Sequence, residues 1–327
     1  MNAIHLLRSF KHGGGETVAY NYSRILSKLG VSNTFVAQQE SQLFEEMLKK
    51  VGQTKYSYGI SDVRNADLIF VNSTIDLIKL CLYRMLPLGW SKKKVIYTQH
   101  LNKSESKFRL ISMLVNFCCT DFIQITPFTK HLVEKYIKVR VNFIVNFYLK
   151  KHNIEDWPKI RKDVRTENNI DSNKIVVMFS AALKPGKNVE DFIELARQSQ
   201  HDGKFVFLLA GDGPESHYVK KYEGNNLIWL GNVNDVERYL IASDVYIFTS
   251  KWEMMPMALL EAIITNKYIM AYDIPVSTFL LGKTYNVLSY KLLCNYESLP
   301  NGINLEHYDE AYALKAISKM IGVSHNS

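Results

Sequence analysis

The chain has few of the residues that build cross-linked or metal-held folds. Cysteine occurs only four times in 327 residues, at Cys81, Cys118, Cys119 and Cys294. No two of them have C-x-x-C spacing, so the sequence predicts buried thiols in a reducing compartment rather than a disulfide framework. An Asp-x-Asp motif is absent, and no His/Cys cluster has metal-ligand spacing. We therefore predict that the protein needs no metal and no other cofactor.

Long apolar runs are missing as well. No stretch reaches the ~20 apolar residues of a membrane-spanning helix. The first ten residues are too short and too polar for a signal peptide. These absences predict a cytoplasmic protein. Its composition, with 47% hydrophobic and 22% charged residues, is that of a globular protein, and its length suits two domains.

Charge is present but unevenly distributed. Residues 1–150 contain 21 Lys and Arg against 10 Asp and Glu, a net charge of +11. Residues 151–327 contain 19 against 22, a net charge of −3. The basic first half indicates an anionic partner, for which a membrane surface and nucleic acid are the main candidates. The alternative is that lysine serves solubility alone.

Short apolar runs alternate with amphipathic segments in both halves, a pattern typical of parallel α/β sheets. The predicted strands are Ala3–Leu7, Thr34–Ala37, Leu68–Val71, Lys94–Tyr97, Phe122–Ile125, Val141–Val145, Ile175–Ser180, Phe205–Ala210, Leu227–Leu230, Val245–Phe248 and Tyr268–Ala271. We predict two Rossmann-like domains, residues 1–150 and 173–285, joined by a polar linker over 151–172. Residues 286–327 are predicted to form a helical segment that packs back toward the first domain.

The segment Glu253-Met-Met-Pro-Met-Ala-Leu-Leu-Glu261 combines two carboxylates with a helix start near Pro256. The N–H groups of the first helical turn would attract phosphate, and each carboxylate would accept hydrogen bonds from hydroxyl groups. A nucleotide diphosphate sugar needs this combination. The plainer interpretation is that both carboxylates are solvated charges near a helix end.

Other polar and glycine residues closely follow predicted strands, where ligands of parallel sheets bind. They are Gly13–Gly15, His100, Lys187 and Gly211–Gly213. Glycines let backbone N–H groups approach a phosphate or sugar closely. The histidine is equally open to a structural interpretation, and the lysine to that of an ordinary exposed side chain.

In this order the segments resemble the retaining glycosyltransferases of family four, which have two Rossmann-like domains (the GT-B architecture) and an interdomain cleft. Phe179-Ser-Ala-Ala-Leu-Lys-Pro-Gly-Lys187 is similar to the family's Gly-Arg-Leu-x-x-x-Lys-Gly segment, and Leu209–Pro214 to its nucleotide turn. Leu230–Val233 matches the strand end beside the base, and Ala242–Ser250 leads into the E-x7-E motif as in the family. Ala182 stands where the family usually has an arginine on the donor diphosphate.

The resemblance implies roles for individual residues. Glu253 would contact the donor sugar, Lys187 the diphosphate, and His100 the donor sugar or the acceptor, so these three are the predicted catalytic residues. Glu261 would accept hydrogen bonds from the ribose. The full donor-binding set is Gly14, Gly15, Lys187, Gly211, Gly213, Val233, Met257, Ala258, Leu259 and Glu261.

The resemblance also implies the reaction. It is a metal-independent, retaining hexosyl transfer from a nucleotide diphosphate sugar to a glycan acceptor on a polyprenyl diphosphate. Such transfer would serve bacterial capsule, exopolysaccharide or other cell-surface polysaccharide synthesis. The basic first domain would bind the acceptor at the anionic inner face of the cell membrane, through Lys92, Lys93, Lys94, Lys103, Lys107 and Arg109. The segment Leu77–Leu88 either lies in the membrane interface or packs on the sheet.

Three other functions stay open at this point. Ala182 and the short C-terminal region fit a non-catalytic partner of an active transferase. A nucleic-acid binder would use the basic half, but no aromatic–basic motif is present, and we predict no nucleic-acid partner. A sugar-nucleotide epimerase of the same fold is the third. The sequence leaves the donor base, the sugar, the acceptor and the linkage open.

Overall fold

The computed structural model describes residues 1–7, 13–37, 42–86, 90–100, 104–222, 224–282, 286–287, 293 and 308–323. The chain divides into two compact units. The first contains Met1–Leu149 together with Glu306–Ser327, and the second contains Lys150–Leu305.

The first unit is built on a parallel sheet. Its strands are β1 (Asn2–Leu6), β2 (Ser32–Val36), β3 (Gln53–Lys55), β4 (Leu68–Val71), β5 (Lys94–Thr98), β6 (Asp121–Gln124) and β7 (Arg140–Phe143). Its helices up to this point are α1 (Gly14–Lys28), α2 (Gln42–Lys49), α3 (Ile60–Asn65), α4 (Thr74–Tyr83), α5 (Glu105–Cys118) and α6 (Lys130–Tyr136). Among the described residues the strand order is β3-β2-β1-β4-β5-β6-β7.

The order reverses between β1 and β4, which makes that point the topological switch of the sheet. All four residues of β4, Leu68–Val71, are buried because helices cover both faces of the sheet. This is why the sequence shows a continuous apolar run there rather than an alternating one.

The second unit repeats the design. Its strands are β8 (Ile175–Ser180), β9 (Phe205–Ala210), β10 (Leu227–Gly231), β11 (Val245–Phe248), β12 (Tyr268–Ala271) and β13 (Asn286–Val287). Its helices are α7 (Trp157–Glu167), α8 (Val189–Gln198), α9 (Ser216–Lys220), α10 (Val236–Ala242), α11 (Met257–Ile264) and α12 (Pro275–Leu281). In the described part the order is β10-β9-β8-β11-β12-β13, with the switch between β8 and β11. The prediction of two Rossmann-like parallel α/β domains is confirmed.

The stretch predicted as a linker, residues 151–172, is largely a helix of the second unit. Helix α7 is held by Asp244, whose carboxylate accepts from Arg161 at 2.6 Å and from Arg165 at 2.7 Å. The Arg165 guanidinium also donates from Nε to the Ala242 carbonyl at the end of α10. The linker prediction was wrong because Arg161 and the buried Arg165 make the segment look polar, although both bind it to the rest of the domain.

Removal of Asp244 is expected to destabilise the second unit. Arg165 is buried, so Asp244→Ala leaves a guanidinium without its counter-charge, at a cost of about 3 kcal/mol in the free energy of unfolding. Glu167, also on α7, provides the control. It pairs with Arg238 of α10 and its side chain is 51% exposed, so Glu167→Ala should cost less than about 1 kcal/mol. Urea unfolding measures the loss of unfolding free energy in both variants. Equal losses would contradict the stabilising role assigned to the pairing of Asp244 with Arg165.

The C-terminal helix α13 (Glu310–Ile321) is part of the first unit. Its start is capped by Asp309, which accepts from the Tyr312 N–H at 2.9 Å. At its other end the Met320 carbonyl accepts from Lys94 at 2.8 Å and from Arg140 at 2.7 Å. Most of the predicted segment 286–327 before this helix lies outside the described residues.

Among the described residues, no helix has the length and apolar character needed to cross a membrane.

Candidate functional site

The first unit gathers a small polar group at the carboxyl edge of its sheet. His100 follows β5, Asn72 follows β4, and His100 Nε2 lies 2.9 Å from Asn72 Oδ1. A Cβ atom at Gly15, in the first turn of α1, would lie 3.8 Å from His100 Cδ2, so the glycine loop and the histidine are neighbours. Burial lowers the pKa of His100 to about 4, and the ring is therefore neutral at pH 7.

The sequence analysis missed Asn72. The available signal was its position, because it directly follows the predicted strand Leu68–Val71, as His100 closely follows the next one. It fixes the orientation of the imidazole through Nε2.

In the second unit, Lys187 and Glu253 form an ion pair between the loop after β8 and the loop after β11. The exposed fractions of the two side chains are 22% and 21%, so both reach the surface. The loops are also joined by their backbones. Thr249 Oγ1 donates to the Lys187 carbonyl at 2.6 Å, and the Lys251 N–H to the Gly186 carbonyl at 2.9 Å. The structure thus brings together two residues that the sequence separates by 66 positions.

A second polar group fixes the residue after Lys187. Asn188 has a left-handed backbone, with φ of 60°, and its side-chain amide donates to the Tyr272 hydroxyl at 3.1 Å. The Asn188 amide also donates to the Asp191 carboxylate, and so does the Tyr272 hydroxyl. Tyr272, at the end of β12, was missed by the sequence analysis. This network holds the turn that carries the lysine.

The helix after Glu253 begins at Met257, next to Pro256, near which its start was predicted. Pro256 has φ of −72° and ψ of 123° and precedes the helix, whose first residue is Met257. The N-cap residue, Pro256, makes no side-chain cap hydrogen bond, and no acidic residue lies in the first turn of the helix. The N–H groups of Met257, Ala258 and Leu259 are therefore directed out of a helix end that begins four residues after Glu253, and such an end suits an anion. Met254 and Met255 are buried and pack the loop.

Glu261 lies one turn into the same helix and is buried. Burial raises the pKa of its carboxyl to about 7, opposed by the Lys151 ammonium and reinforced by the carboxylates of Glu237 and Asp235. Glu237 is itself buried but accepts from the N–H groups of Lys151 and His152 at 2.8 and 3.2 Å. Two buried carboxyls thus interact electrostatically. Glu237 accepts backbone N–H groups, whereas the side chain of Glu261 accepts no hydrogen bond from the residues that the structure describes.

Gly211 and Gly213 form a tight turn that supports the loop after β8. Their φ angles are 133° and 155°, and a Cβ atom at each would lie 1.8 Å from the Ala181 carbonyl and 2.3 Å from the Leu183 carbonyl. Only glycine fits so close an approach. Val233 lies on the neighbouring turn, between β10 and α10. Direct contact of these residues with a ligand stays a prediction.

The predicted basic cluster at residues 92–94 does not present three free cations. Lys93 is buried and donates to the carbonyls of Arg64 at 2.6 Å and Ala66 at 2.7 Å. Lys94 donates to Met320, as described above. That part of the prediction was wrong because two of the ammonium groups satisfy chain carbonyls. Lys92, Lys107 and Arg109 are exposed, whereas Lys103 lies outside the described residues.

Comparison with known families places residues 160–303 in the family model described as Glycosyl transferases group 1. The match begins within α7 and lies entirely in the second unit. It includes Lys187, Glu253 and Glu261.

Two curated proteins match parts of the chain. An Escherichia coli UDP-Gal:alpha-D-GlcNAc-diphosphoundecaprenol alpha-1,3-galactosyltransferase is 35% identical over 99 residues, 28% of this chain and 26% of that protein. The alpha-galactosylglucosyldiacylglycerol synthase of Streptococcus pneumoniae is 29% identical over 160 residues, 45% of this chain and 41% of that protein. The matched segments therefore span less than half the length of either relative.

Solved structures match over nearly the whole chain. Anabaena HepE, crystallised in complex with UDP and glucose, has a TM-score of 0.77 at 16% identity, over 98% of this chain and 99% of that one. WaaG, a glycosyltransferase involved in lipopolysaccharide biosynthesis, has a TM-score of 0.59 at 14% identity, over 98% and 90% of the two chains. At these identities the likeness establishes the fold. Residues 160–303 thus match the group 1 glycosyltransferase model, within a chain that has the two-Rossmann GT-B fold.

Proposed function

We propose that the protein is a retaining hexosyltransferase that moves a sugar from a UDP-sugar to a lipid-linked glycan in bacterial cell-surface polysaccharide synthesis, such as that of capsule or exopolysaccharide. One observation carries the proposal. The Lys187–Glu253 ion pair is followed, four residues after Glu253, by the start of α11, and the buried carboxyl of Glu261 lies one turn into that helix. A nucleotide diphosphate sugar offers a group for each part: hydroxyls for the carboxylates and a dianionic diphosphate for the lysine and the N–H groups.

The donor would bind to the second unit. The ribose hydroxyls donate to Glu261, and the diphosphate lies at the start of α11, where the N–H groups and Lys187 stabilise its charge. Glu253 then exchanges its lysine partner for the hydroxyls of the transferred sugar. UDP is favoured over other nucleotides because the E. coli relative is named for UDP-Gal and HepE was crystallised with UDP.

Departure of the diphosphate develops negative charge as the bond to the anomeric carbon breaks. Lys187 and the N–H groups of α11 are placed to stabilise that charge. The acceptor hydroxyl attacks on the face that the diphosphate leaves, and its proton passes to a leaving phosphate oxygen. Because His100 is neutral at pH 7, it is suited to hydrogen bonding with a sugar hydroxyl and not to acting as a cation.

The acceptor is proposed to be lipid-linked because both curated relatives are named for lipid substrates or products, a diphosphoundecaprenol glycan and a glycolipid. The basic first unit suits diphosphate and anionic lipid alike. It makes peripheral association with the inner face of the cell membrane part of the proposal.

The direct test incubates the purified chain with UDP-glucose, UDP-galactose or GDP-mannose and a polyprenyl diphosphate-linked acceptor. The proposal predicts a glycosylated lipid and free UDP, with the anomeric configuration of the donor retained in the product by NMR coupling constants. An inverted product would contradict the retaining mechanism. A protein that binds no nucleotide sugar and transfers nothing would instead be the non-catalytic partner that Ala182 suggests.

Glu253→Gln is expected to slow transfer but to strengthen UDP binding. The substitution frees Lys187 from its carboxylate, so the ammonium can pair with the diphosphate without losing another partner. We expect UDP to bind about threefold to tenfold more tightly by calorimetry, which corresponds to about 1 kcal/mol. Glu190→Gln, which removes an exposed carboxylate from α8, is the control and should leave the affinity unchanged. Weaker UDP binding by Glu253→Gln would refute this exchange.

Transfer is expected to continue in the presence of EDTA. The charge that a divalent cation neutralises in other enzymes is assigned here to Lys187 and to the helix end, so chelation should change the rate by less than about twofold. An assay with EDTA, with and without added Mg²⁺ or Mn²⁺, measures this. Loss of activity that Mn²⁺ restores would overturn the metal-independent mechanism.

A further inference from the structure

Helices α4 and α5 of the first unit each have two apolar faces. On α4, Leu77, Leu80 and Cys81 are buried in the core, as are Phe108, Ile111 and Val115 on α5. A helix that packs on a sheet needs one such face. The second face of each helix is therefore not explained by the fold.

The second face has the same spacing on both helices. Ile75, Ile78 and Leu82 on α4 are exposed, and so are Leu110, Met113 and Phe117 on α5. Each set recurs at i, i+3 and i+7, which places it on one side of its helix. We call these six residues the α4–α5 apolar face. The two interpretations left open for Leu77–Leu88 are therefore compatible, since α4 packs on the sheet with one face and presents apolar side chains to solvent with the other.

The two sets form one surface because the helices lie side by side. The Cys81 thiol donates to the Leu114 carbonyl at 3.7 Å, which joins the last turn of α4 to α5. Ile78 precedes Cys81 by one turn, and Leu110 precedes Leu114 by one turn. Both helices follow neighbouring parallel strands, so they run in the same direction on the same side of the sheet.

Apart from Glu105, the exposed charges of these two helices are positive. Lys107 and Arg109 on α5 are exposed, and within the described ranges neither forms an ion pair. The carboxylates of the two helices are already engaged. Asp76 is buried at the start of α4 and accepts from Ser73, and Glu105 pairs with Lys135 at 2.8 Å. The face therefore presents apolar groups and cations without a free carboxylate.

We propose that the α4–α5 apolar face is the membrane-docking surface of this protein, that it inserts among the headgroups and upper acyl chains of an anionic bilayer, and that Lys107 and Arg109 contact lipid phosphates. Charge complementarity selects this occupant, since a second copy of the chain would bring the same cations against one another. This inference rests on the proposed function and connects it to the membrane. Helices α4 and α5 begin at the edge of the sheet that carries Asn72 and His100. A lipid-linked acceptor would be presented at that edge.

Vesicle flotation of the full chain tests the surface. A variant of the α4–α5 apolar face, Ile78→Asp/Phe117→Asp (the stripe variant), is compared with a control. The control, Phe143→Asp/Ile154→Asp, replaces the same residue types outside this face. The exposed fractions are 48% and 56% in the first pair and 51% and 57% in the second. On vesicles of equal phosphatidylglycerol and phosphatidylcholine, the stripe variant should lose at least tenfold in vesicle partition, and the control less than twofold. All four side chains are about half exposed or more, so we expect both variants to fold, and circular dichroism checks this.

The charge reversal Lys107→Glu/Arg109→Glu should lower binding to the anionic vesicles at least threefold and leave binding to pure phosphatidylcholine unchanged. Equal losses in the stripe variant and its control would overturn the proposal. So would a wild-type chain that does not float, or one that forms a dimer in vesicle-free solution through Ile78 and Phe117. Calorimetry with UDP separates the two proposals: if UDP does not bind but flotation persists, the donor assignment fails while the docking surface stands.

Discussion

Lys187→Ala is expected to lower the turnover number for sugar transfer by about a hundredfold to a thousandfold. This is the range seen when one group that stabilises developing charge is removed from an active site. The effect should be near the upper end here, because Ala182 supplies no second cation on this loop at the position where an arginine is usual. The measurement is the initial rate of UDP release at saturating donor and acceptor.

Lys184→Ala provides the matched control. Lys184 lies three residues earlier on the same loop, is exposed, and should change the rate less than threefold. Arginine at position 187 should restore part of the activity, because it returns the charge but not the geometry of the ammonium. Full activity in Lys187→Ala, or equal losses at the two lysines, would contradict the assignment of the diphosphate to Lys187.

Glu261→Gln is expected to weaken donor binding and at the same time to stabilise the donor-free protein. A carboxylate that accepts from two ribose hydroxyls makes charge-assisted hydrogen bonds, so the amide should bind a UDP-sugar at least tenfold less tightly, a loss of about 1.5 kcal/mol or more. The diphosphate of a UDP-sugar stays fully ionised from pH 6 to 8. Any change of its affinity with pH in this range therefore comes from groups of the protein. Wild-type affinity should rise over this range as Glu261 ionises, whereas the variant should show no such rise.

The stability effect follows from the raised pKa. The Glu261 carboxyl titrates at about 7 in the folded protein against 4.5 when free, so the folded state holds a proton that the unfolded chain releases. The free energy of unfolding therefore falls as the pH rises from about 4.5 to about 7, by about 3 kcal/mol in total. The uncharged glutamine avoids this loss of stability. Burying its amide costs about 1 kcal/mol, which reduces the gain. At pH 8 the variant should be about 2 kcal/mol more stable than wild type, and at pH 5 no more stable.

Glu237→Gln is the control for this prediction, since both glutamates are buried within the same unit. Glu237 accepts two backbone N–H groups, so its replacement should destabilise the protein at both pH values. Thermal unfolding at pH 5 and pH 8 separates the two cases. A Glu261→Gln variant that is less stable than wild type at pH 8 would show that the carboxyl is already satisfied without a ligand.

The sheets could be predicted from the sequence because parallel strands buried on both faces leave continuous apolar runs. Phe205–Ala210 was predicted with its observed bounds, and Leu68–Val71 likewise. The short strand Gln53–Lys55 could not be found, since all three of its residues are polar and it lies at the edge of the sheet. Helix α7 was not predicted for a different reason. Its arginines, of which Arg165 is buried, give the segment the composition of a linker, and their ion pairs with Asp244 are seen only in the structure.

The candidate site was predicted in its parts but not in its pairing. Spacing alone placed Glu253 and Glu261 around a helix start, whereas the ion pair between Lys187 and Glu253 depends on how two loops meet in space. The positioning side chains Asn72 and Tyr272 carry no motif and follow strands as many structural residues do. The basic residues Lys93 and Lys94 show the opposite error, because a run of lysines does not reveal which ammonium groups satisfy carbonyls inside the fold.

The central claim is that the second unit binds a nucleotide diphosphate sugar through Lys187, the start of α11 and Glu261. A crystal structure with an intact UDP-sugar tests it most directly. We predict a diphosphate oxygen within ~3 Å of Lys187 Nζ and of at least one N–H from Met257 to Leu259, with the ribose hydroxyls on Glu261. A nucleotide bound elsewhere, with the Lys187–Glu253 pair unbroken, would contradict the account.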